Sequence, residues 1–331
     1  MTRLTYSSHE YAGVSDMYAM LGLVSASWKR NWPRNRFHVG DVWWYLGLGR
    51  EETPDRPHPS IRLWADSDGG AVGFAWLDGP GSGDVLVHPD HRQRGIEEEI
   101  LAWLEERHRI EAAPDGGEST LETGSYGDPY WKSLLVSNGF RRDDSVDGWP
   151  LYWRSLDALE PSAPPEGFVV REVAGEHEAT ARTMVQREAF ANLDFDMPGR
   201  PAGRRAPPAE RAEIERRTRI YRNIMRLQGY RRELDIVAET ANGDLAACCT
   251  CWLDEDNLVG EFEPVGCHPD FRQRGLTRSA MFEAMRRLRS LGAEAAVVST
   301  HPLNTPAKAL YKSCGFELVF LDPLYRKTFA G

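Results

Sequence analysis

With 331 residues the chain exceeds what one ordinary hydrophobic core organises, so two domains of about 150 residues each are expected. Hydrophobic residues make up 41% and charged residues 27%, the balance of a globular protein, and a formal net charge of −10 argues against nucleic-acid partners. No apolar run reaches membrane-spanning length and the opening residues lack a signal-like apolar region, which predicts a cytoplasmic protein with no membrane partner.

The first half opens with aromatic helix candidates around Asp16–Trp28 and Asp41–Leu48. Ile61–Ala65 and Ala71–Leu77 read as strands across an Asp/Gly turn, and Asp84–His88 as a third. Ile96 to Arg109 has a helical apolar period. A strand at Ser119–Thr123, a helix at Pro129–Asn138 and a closing strand pair ending near Trp153 follow. The proline-rich stretch 158–167 reads as a semi-rigid linker, giving domains at 1–157 and 168–331. The pattern then restarts with a strand (Phe168–Val173) and a helix (Ala179–Ala191). The Pro/Gly/Arg loop 198–208, a charged helix (Ala209–Leu227) and an Asn-Gly hairpin (Leu234–Glu239, Leu245–Leu253) come next. Five cysteines occur, three of them in Cys248-Cys249-Thr250-Cys251; their spacing lacks paired Cys-x-x-Cys, so no metal site is expected and they read as small buried hydrophobes.

One stretch organises the rest. A strand over Glu261–Cys267 ends in His268-Pro269, passes through Arg272-Gln273-Arg274-Gly275, and enters an amphipathic helix, Leu276–Leu291. Strand, short turn and helix start suit a pyrophosphate, because helix-end amides and the helix dipole favour an anion there. The same letters stand 180 residues earlier, from His88 to Gly95, and Gly139-Phe140 matches Gly315-Phe316. A repeat at this period indicates duplicated domains.

This order of motifs resembles the GCN5-related N-acetyltransferase (GNAT) superfamily in tandem. Arg272-x-x-Gly275-x-Thr277 is similar to its acyl-CoA signature, and Asn304 to Phe316 (NTPAKALYKSCGF) to its second motif. The resemblance implies an α/β fold: two tandem domains, each a mixed, mostly antiparallel sheet flanked by helices. It implies acetyl-CoA as cosubstrate and transfer of acetyl to a primary amine, a small cationic molecule or a peptide amine, at one site in the C-terminal copy. Val265, Gly266 and Cys267 would then meet the pantetheine arm through backbone groups, and Arg272, Gln273, Arg274, Gly275, Leu276, Thr277 and Arg278 would hold the pyrophosphate. Tyr311 matches the tyrosine that protonates the leaving thiolate, and Asn304 the residue that bonds the pantetheine, an N-cap role being the alternative. Thr277 departs from the usual Gly or Ala.

For the base, Glu261 and Glu263 alternate along the strand and share a face. Glu261 stands at the spacing from Arg272 used by the family's histone acetyltransferases, and His301 is a lesser candidate. Against these, the first copy has Gly81, Gly83, Glu97 and Leu135 where the second has Glu261, Glu263, Thr277 and Tyr311. The first copy is therefore expected to be degenerate and free of CoA, with a weak ligand sensor using Tyr126, Tyr130 and Trp131 as the alternative. Asp194, Asp196, Glu233, Asp235, Glu261 and Glu263 are read as a possible acidic acceptor cleft, and Arg200–Arg219 as a plain charged helix or an adenosine contact. The alternative for the whole chain is a non-catalytic acyl-CoA-binding or partner-binding protein. Oligomeric state, monomer or homodimer, is not fixed by these residues.

Overall fold

The computed structural model describes residues 5–34, 37–48, 56–79, 81–112, 117–191 and 209–330. The first half contains β1 (Ser7–Tyr11), α1 (Val14–Asn31), α2 (Val39–Leu48), β2 (His58–Ala65), β3 (Ala71–Asp78) and β4 (Ser82–Val87). It continues with α3 (Ile96–Ala112), β5 (Ser119–Gly124), α4 (Pro129–Ser137), β6 (Arg141–Arg142) and β7 (Trp149–Ser155). The second half has β8 (Phe168–Glu172), α5 (Ala179–Ala191), α6 (Arg211–Ile224), β9 (Asp235–Thr240), β10 (Leu245–Asp254) and β11 (Val259–Cys267). It ends with α7 (Leu276–Ser290), β12 (Ala295–Ser299), α8 (Thr305–Ser313), β13 (Glu317–Asp322) and β14 (Leu324–Phe329).

The two compact units do not follow the expected cut at 158–167. One takes residues 1–38, 54–150 and 320–331, the other 39–53 and 151–319. Strand pairing explains the difference. The first sheet has the order β1-β2-β3-β4-β5-β14-β6, so the last strand of the chain lies between β5 and β6. The second has the order β13-β7-β12-β11-β10-β9-β8, with β7 antiparallel to β12 from Ser155↔Ala295 to Leu151↔Ser299. A closing strand ending near Trp153 was expected from the sequence; which strand it would pair with was not legible. The stretch 158–167 belongs to the second unit, where Ala163 O accepts from Ser279 Oγ of α7 at 3.2 Å.

In each unit the core lies between the sheet and its long helix. The period seen in the sequence puts Ile96, Ile100, Leu101 and Leu104 of α3 in one core and Ala280, Met281, Ala284, Met285 and Leu288 of α7 in the other, all buried. Four of the cysteines are buried and Cys267 is partly so, all as free thiols. No helix among the described residues is long and apolar enough to cross a membrane.

A polar knot fastens the other face of the second sheet. Arg182 of α5 is fully buried and donates through Nε to Asp235 Oδ1 at 2.9 Å and through Nη2 to Thr250 Oγ1 at 2.7 Å. Thr250 donates to the same Asp235 oxygen at 2.9 Å, while Asp235 Oδ2 accepts from Tyr230 at 2.9 Å and from Tyr221 of α6. Asp235 therefore cannot belong to an open acidic cleft. Its carboxylate is 0% exposed and committed to holding α5 and α6 on β9 and β10. Asp194 and Asp196 lie outside the described residues. Of the arginine-rich stretch, residues 211–219 form a charged helix with Arg211–Glu215 and Arg217–Glu213 pairs.

Removing one partner of a buried ion pair leaves the other charge stranded. Asp235→Ala is expected to cost about 3–5 kcal/mol, read as a large fall in the denaturant midpoint; a loss below about 1 kcal/mol would show that the knot is dispensable.

Candidate functional site

The site is built where β11 leaves its neighbours. Against β10 the register runs Asp254↔Val259 to Cys251↔Phe262, then resumes at Cys249↔Val265. Thr250 alone thus faces Glu263 and Pro264, a β-bulge with the extra residue on β11. An extra residue reverses side-chain parity. Phe262 and Val265, three apart, consequently both pack on the α7 side with Cys249 and Cys251. Against β12 the parallel ladder covers only Val259↔Ala295, Gly260↔Ala296 and Glu261↔Val297. Beyond Glu261 the two strands separate, and the backbone from Glu263 to Cys267 runs past the end of that ladder.

Glu261 and Glu263 sit at this parting. Glu261 is 7% exposed and lies under α2, where a Cβ on Gly40 would come within 2.5 Å of its Oε2. Gly40 was not singled out from the sequence; its one signal was a glycine in the first turn of an aromatic helix. The same glycine admits Trp252, whose Nε1 donates to Glu263 O at 2.7 Å. Burial, helped by the charge of Glu261, pushes the Glu263 carboxyl up to about 8. Tyr311 projects from α8 into the core beside Tyr152 and Phe316, its hydroxyl 3.5 Å from Ser299 O at the end of β12. Burial first and then Glu263 raise this phenol well above its ordinary value, which keeps it protonated.

The turn after β11 leads directly into α7. Gln273 and Gly275 both have left-handed φ, 61° and 78°, and Gly275 caps α7 without any side-chain bond to the helix amides. No acidic residue occupies the first turn of α7. Arg272 donates to Ala189 O at 3.3 Å, and Arg274 donates to Asp270 O at 3.2 Å while lying over Phe271. Arg278 lies over Phe282 and bonds Ser313 O at 3.3 Å. Cys267 is held above its usual thiol range by burial, against a bond from Thr277 and the charges of Arg272 and Arg274. Gly266 needs its bare backbone, since a Cβ there would come within 2.8 Å of Ala189. Asn304 caps α8: its Oδ1 accepts from Ala307 N at 3.2 Å and its Nδ2 donates to Thr300 Oγ1 at 3.0 Å. His301 shapes the preceding turn by accepting from Leu303 N at 3.2 Å. The structure thus gathers Glu261, Glu263, Val265, Gly266, Cys267, Tyr311 and the turn 272–278 in the second unit around one strand end.

Residues 204–316 match the model of the acetyltransferase (GNAT) family. The chain carries a GNAT acetyltransferase domain. It is 25% identical over 270 residues to a protein named mycothiol acetyltransferase from Nocardiopsis dassonvillei, covering 78% of this chain and 79% of that one. A second of that name, from Saccharomonospora viridis, is 26% identical over 304 residues, covering 84% and 89%. Among solved structures, the fold is similar to a tandem GNAT protein from the clavulanic acid biosynthesis pathway (TM-score 0.63, 18% identity, 98% of each chain). A GCN5-related N-acetyltransferase from Sphaerobacter thermophilus is similar too (TM-score 0.62, 19% identity, 98% of this chain and 96% of that one). The chain therefore has the tandem fold expected of it, and its GNAT domain and the relatives' names support an acyl-CoA-dependent N-acetyltransferase.

A carboxyl raised in the folded state binds its proton more tightly there than in the unfolded chain. Its contribution to stability is present below the unfolded value and is lost as pH rises towards the folded value. Glu263→Gln should therefore melt higher than wild type at pH 9, with the gap closing below about pH 4.5. A thermal melt series from pH 4 to 9 tests this; a gap that widens towards acid pH would be the wrong sign for a buried, raised carboxyl.

Proposed function

We propose that the GNAT domain transfers acetyl from acetyl-CoA to a primary amine by direct attack, with Glu263 as proton acceptor and Tyr311 as proton donor. The observation that carries this reading is their placement at the parting of β11 and β12, next to a helix start with no side-chain cap. When bound, acetyl-CoA supplies an activated thioester. The backbone of Val265, Gly266 and Cys267 would orient the pantetheine arm, Asn304 would add its free amide proton, and the amides from Gln273 to Arg278 would hold the pyrophosphate.

Glu263 is tuned near the working pH, as a general base should be. It takes the proton as the amine nitrogen bonds to the acyl carbon. Its charge is then gone, and with it one of the causes that raises Tyr311. The phenol becomes a better donor in the step where the carbon–sulfur bond breaks and the thiolate needs a proton. Buried Glu261 acts by its charge on Glu263 and by closing the base of the site.

The acceptor class follows from the carboxylate pair, which suits a small cationic amine or a peptide N-terminus. The relatives' name adds mycothiol-related amines to the panel that should be screened. On an identified acceptor, Tyr311→Phe should lower kcat by about 10²-fold while acetyl-CoA affinity changes little. Glu263→Gln should remove the alkaline rise in kcat/KM near pH 8, and Glu261→Gln should move that rise to lower pH. An unchanged kcat in Tyr311→Phe, or an unmoved pH profile in both glutamate variants, would remove these residues from their roles.

A further inference from the structure

The first unit repeats the backbone of the site and then fills it. Gln93 and Gly95 have left-handed φ, 58° and 100°, as their counterparts Gln273 and Gly275 do. The β4–β5 parallel contact shrinks to Ser82↔Glu122, so these strands also part. Into the parting goes Tyr126. Its hydroxyl accepts from Val85 N at 3.1 Å and donates to Gly83 O at 3.4 Å, with Thr123 Oγ1 at 3.2 Å. By the 180-residue offset of the repeated turn, Val85 is the counterpart of Val265, whose backbone faces the cosubstrate in the reading above.

In the turn, Glu97 takes the place of Thr277. Its side chain is 3% exposed, and Oε1 accepts from the Gln93 backbone amide at 2.8 Å, the kind of amide a pyrophosphate would use. The helix-capping position held by Asn304 is here Asp128, which accepts from Tyr130 N at 2.8 Å and stands 3.7 Å from Arg92. Arg92 is further engaged by Asn31 Oδ1 at 2.8 Å.

Tyr126 is held in this place at some cost. It adopts a left-handed backbone, φ 52°, unusual for a residue with a Cβ. Asp322, 4% exposed, fixes it by accepting from Tyr126 N at 2.7 Å and from Ser125 Oγ at 3.3 Å. Tyr126 and Glu97 both line the small crevice that remains there.

We infer that the first unit is an acyl-CoA groove closed by its own side chains, the Tyr126 phenol standing at the pantetheine position and the Glu97 carboxylate at the pyrophosphate position. The protein then takes one CoA per chain. The inference rests on the proposed function for what the groove would bind, but the closure itself has an independent readout.

Calorimetric titration of the full-length chain with CoA is the first arm. Wild type should bind one equivalent and Gly275→Glu none. Adding Glu97→Thr and Tyr126→Ala to Gly275→Glu should restore binding at least about tenfold above that of Gly275→Glu alone. A full equivalent bound by Gly275→Glu, or no gain in the triple variant, would overturn the closure. Amide hydrogen exchange on the unliganded full-length chain is the second arm. Tyr126→Phe should speed exchange at Val85, and Glu97→Ala at Gln93, each about tenfold or more; unchanged rates would overturn the inference. No CoA binding by wild type would instead sink the proposed function, with the exchange arm still deciding the closure.

Discussion

The site depends on a parallel ladder that stops after three pairs. While β11 runs beside β12, its backbone groups are committed to the sheet on both sides; past Glu261↔Val297 it keeps β10 but has no strand on the β12 side. A buried backbone polar group without a partner is costly, so a strand end of this kind calls for something to bond it. The bulge at Glu263 and Pro264 adds a second effect, turning Val265 towards the α7 core while leaving Glu263 at the parting. One local irregularity therefore exposes backbone and positions a carboxyl.

The rest of the second unit keeps that irregularity in place. Thr250, the lone β10 residue opposite the bulge, is bonded to Asp235 and Arg182 in the buried knot. A well-satisfied buried network is rigid, and half-satisfied it would be worse than an apolar core. On the other face Gly260 lets Leu288 of α7 press against the strand, since a Cβ there would come within 2.5 Å of it. The bulge is thus held from both sides.

Much of this was legible because it is local. Left-handed glycines, helix periods and the Asn-Gly turn act over a few residues, and the turns at Gly95 and Gly275 formed as their letters required. The strand exchange was hidden because the pattern of β7 or β14 shows that a strand exists, never its neighbour. Asp235 misled for a related reason. Its carboxylate beside an apolar strand gave no sign of Arg182, 53 residues away in sequence and in direct contact. Gly40 offered only its place in an aromatic helix, since its role is to leave room for a residue in a distant strand.

The two copies differ less in framework than in who satisfies it. Both have the turn, the left-handed Gln and Gly, and a strand that parts from its neighbour. In the first unit Tyr126 and Glu97 answer the open backbone groups from within the chain. In the second, Thr277 replaces the glutamate and α7 starts without a side-chain cap. Closing the groove satisfies buried polar groups at all times, which favours stability; leaving it open defers that satisfaction to a ligand. A duplicated domain released from binding gains by the first arrangement, whereas a domain that must bind and release its cosubstrate at each turnover needs the second.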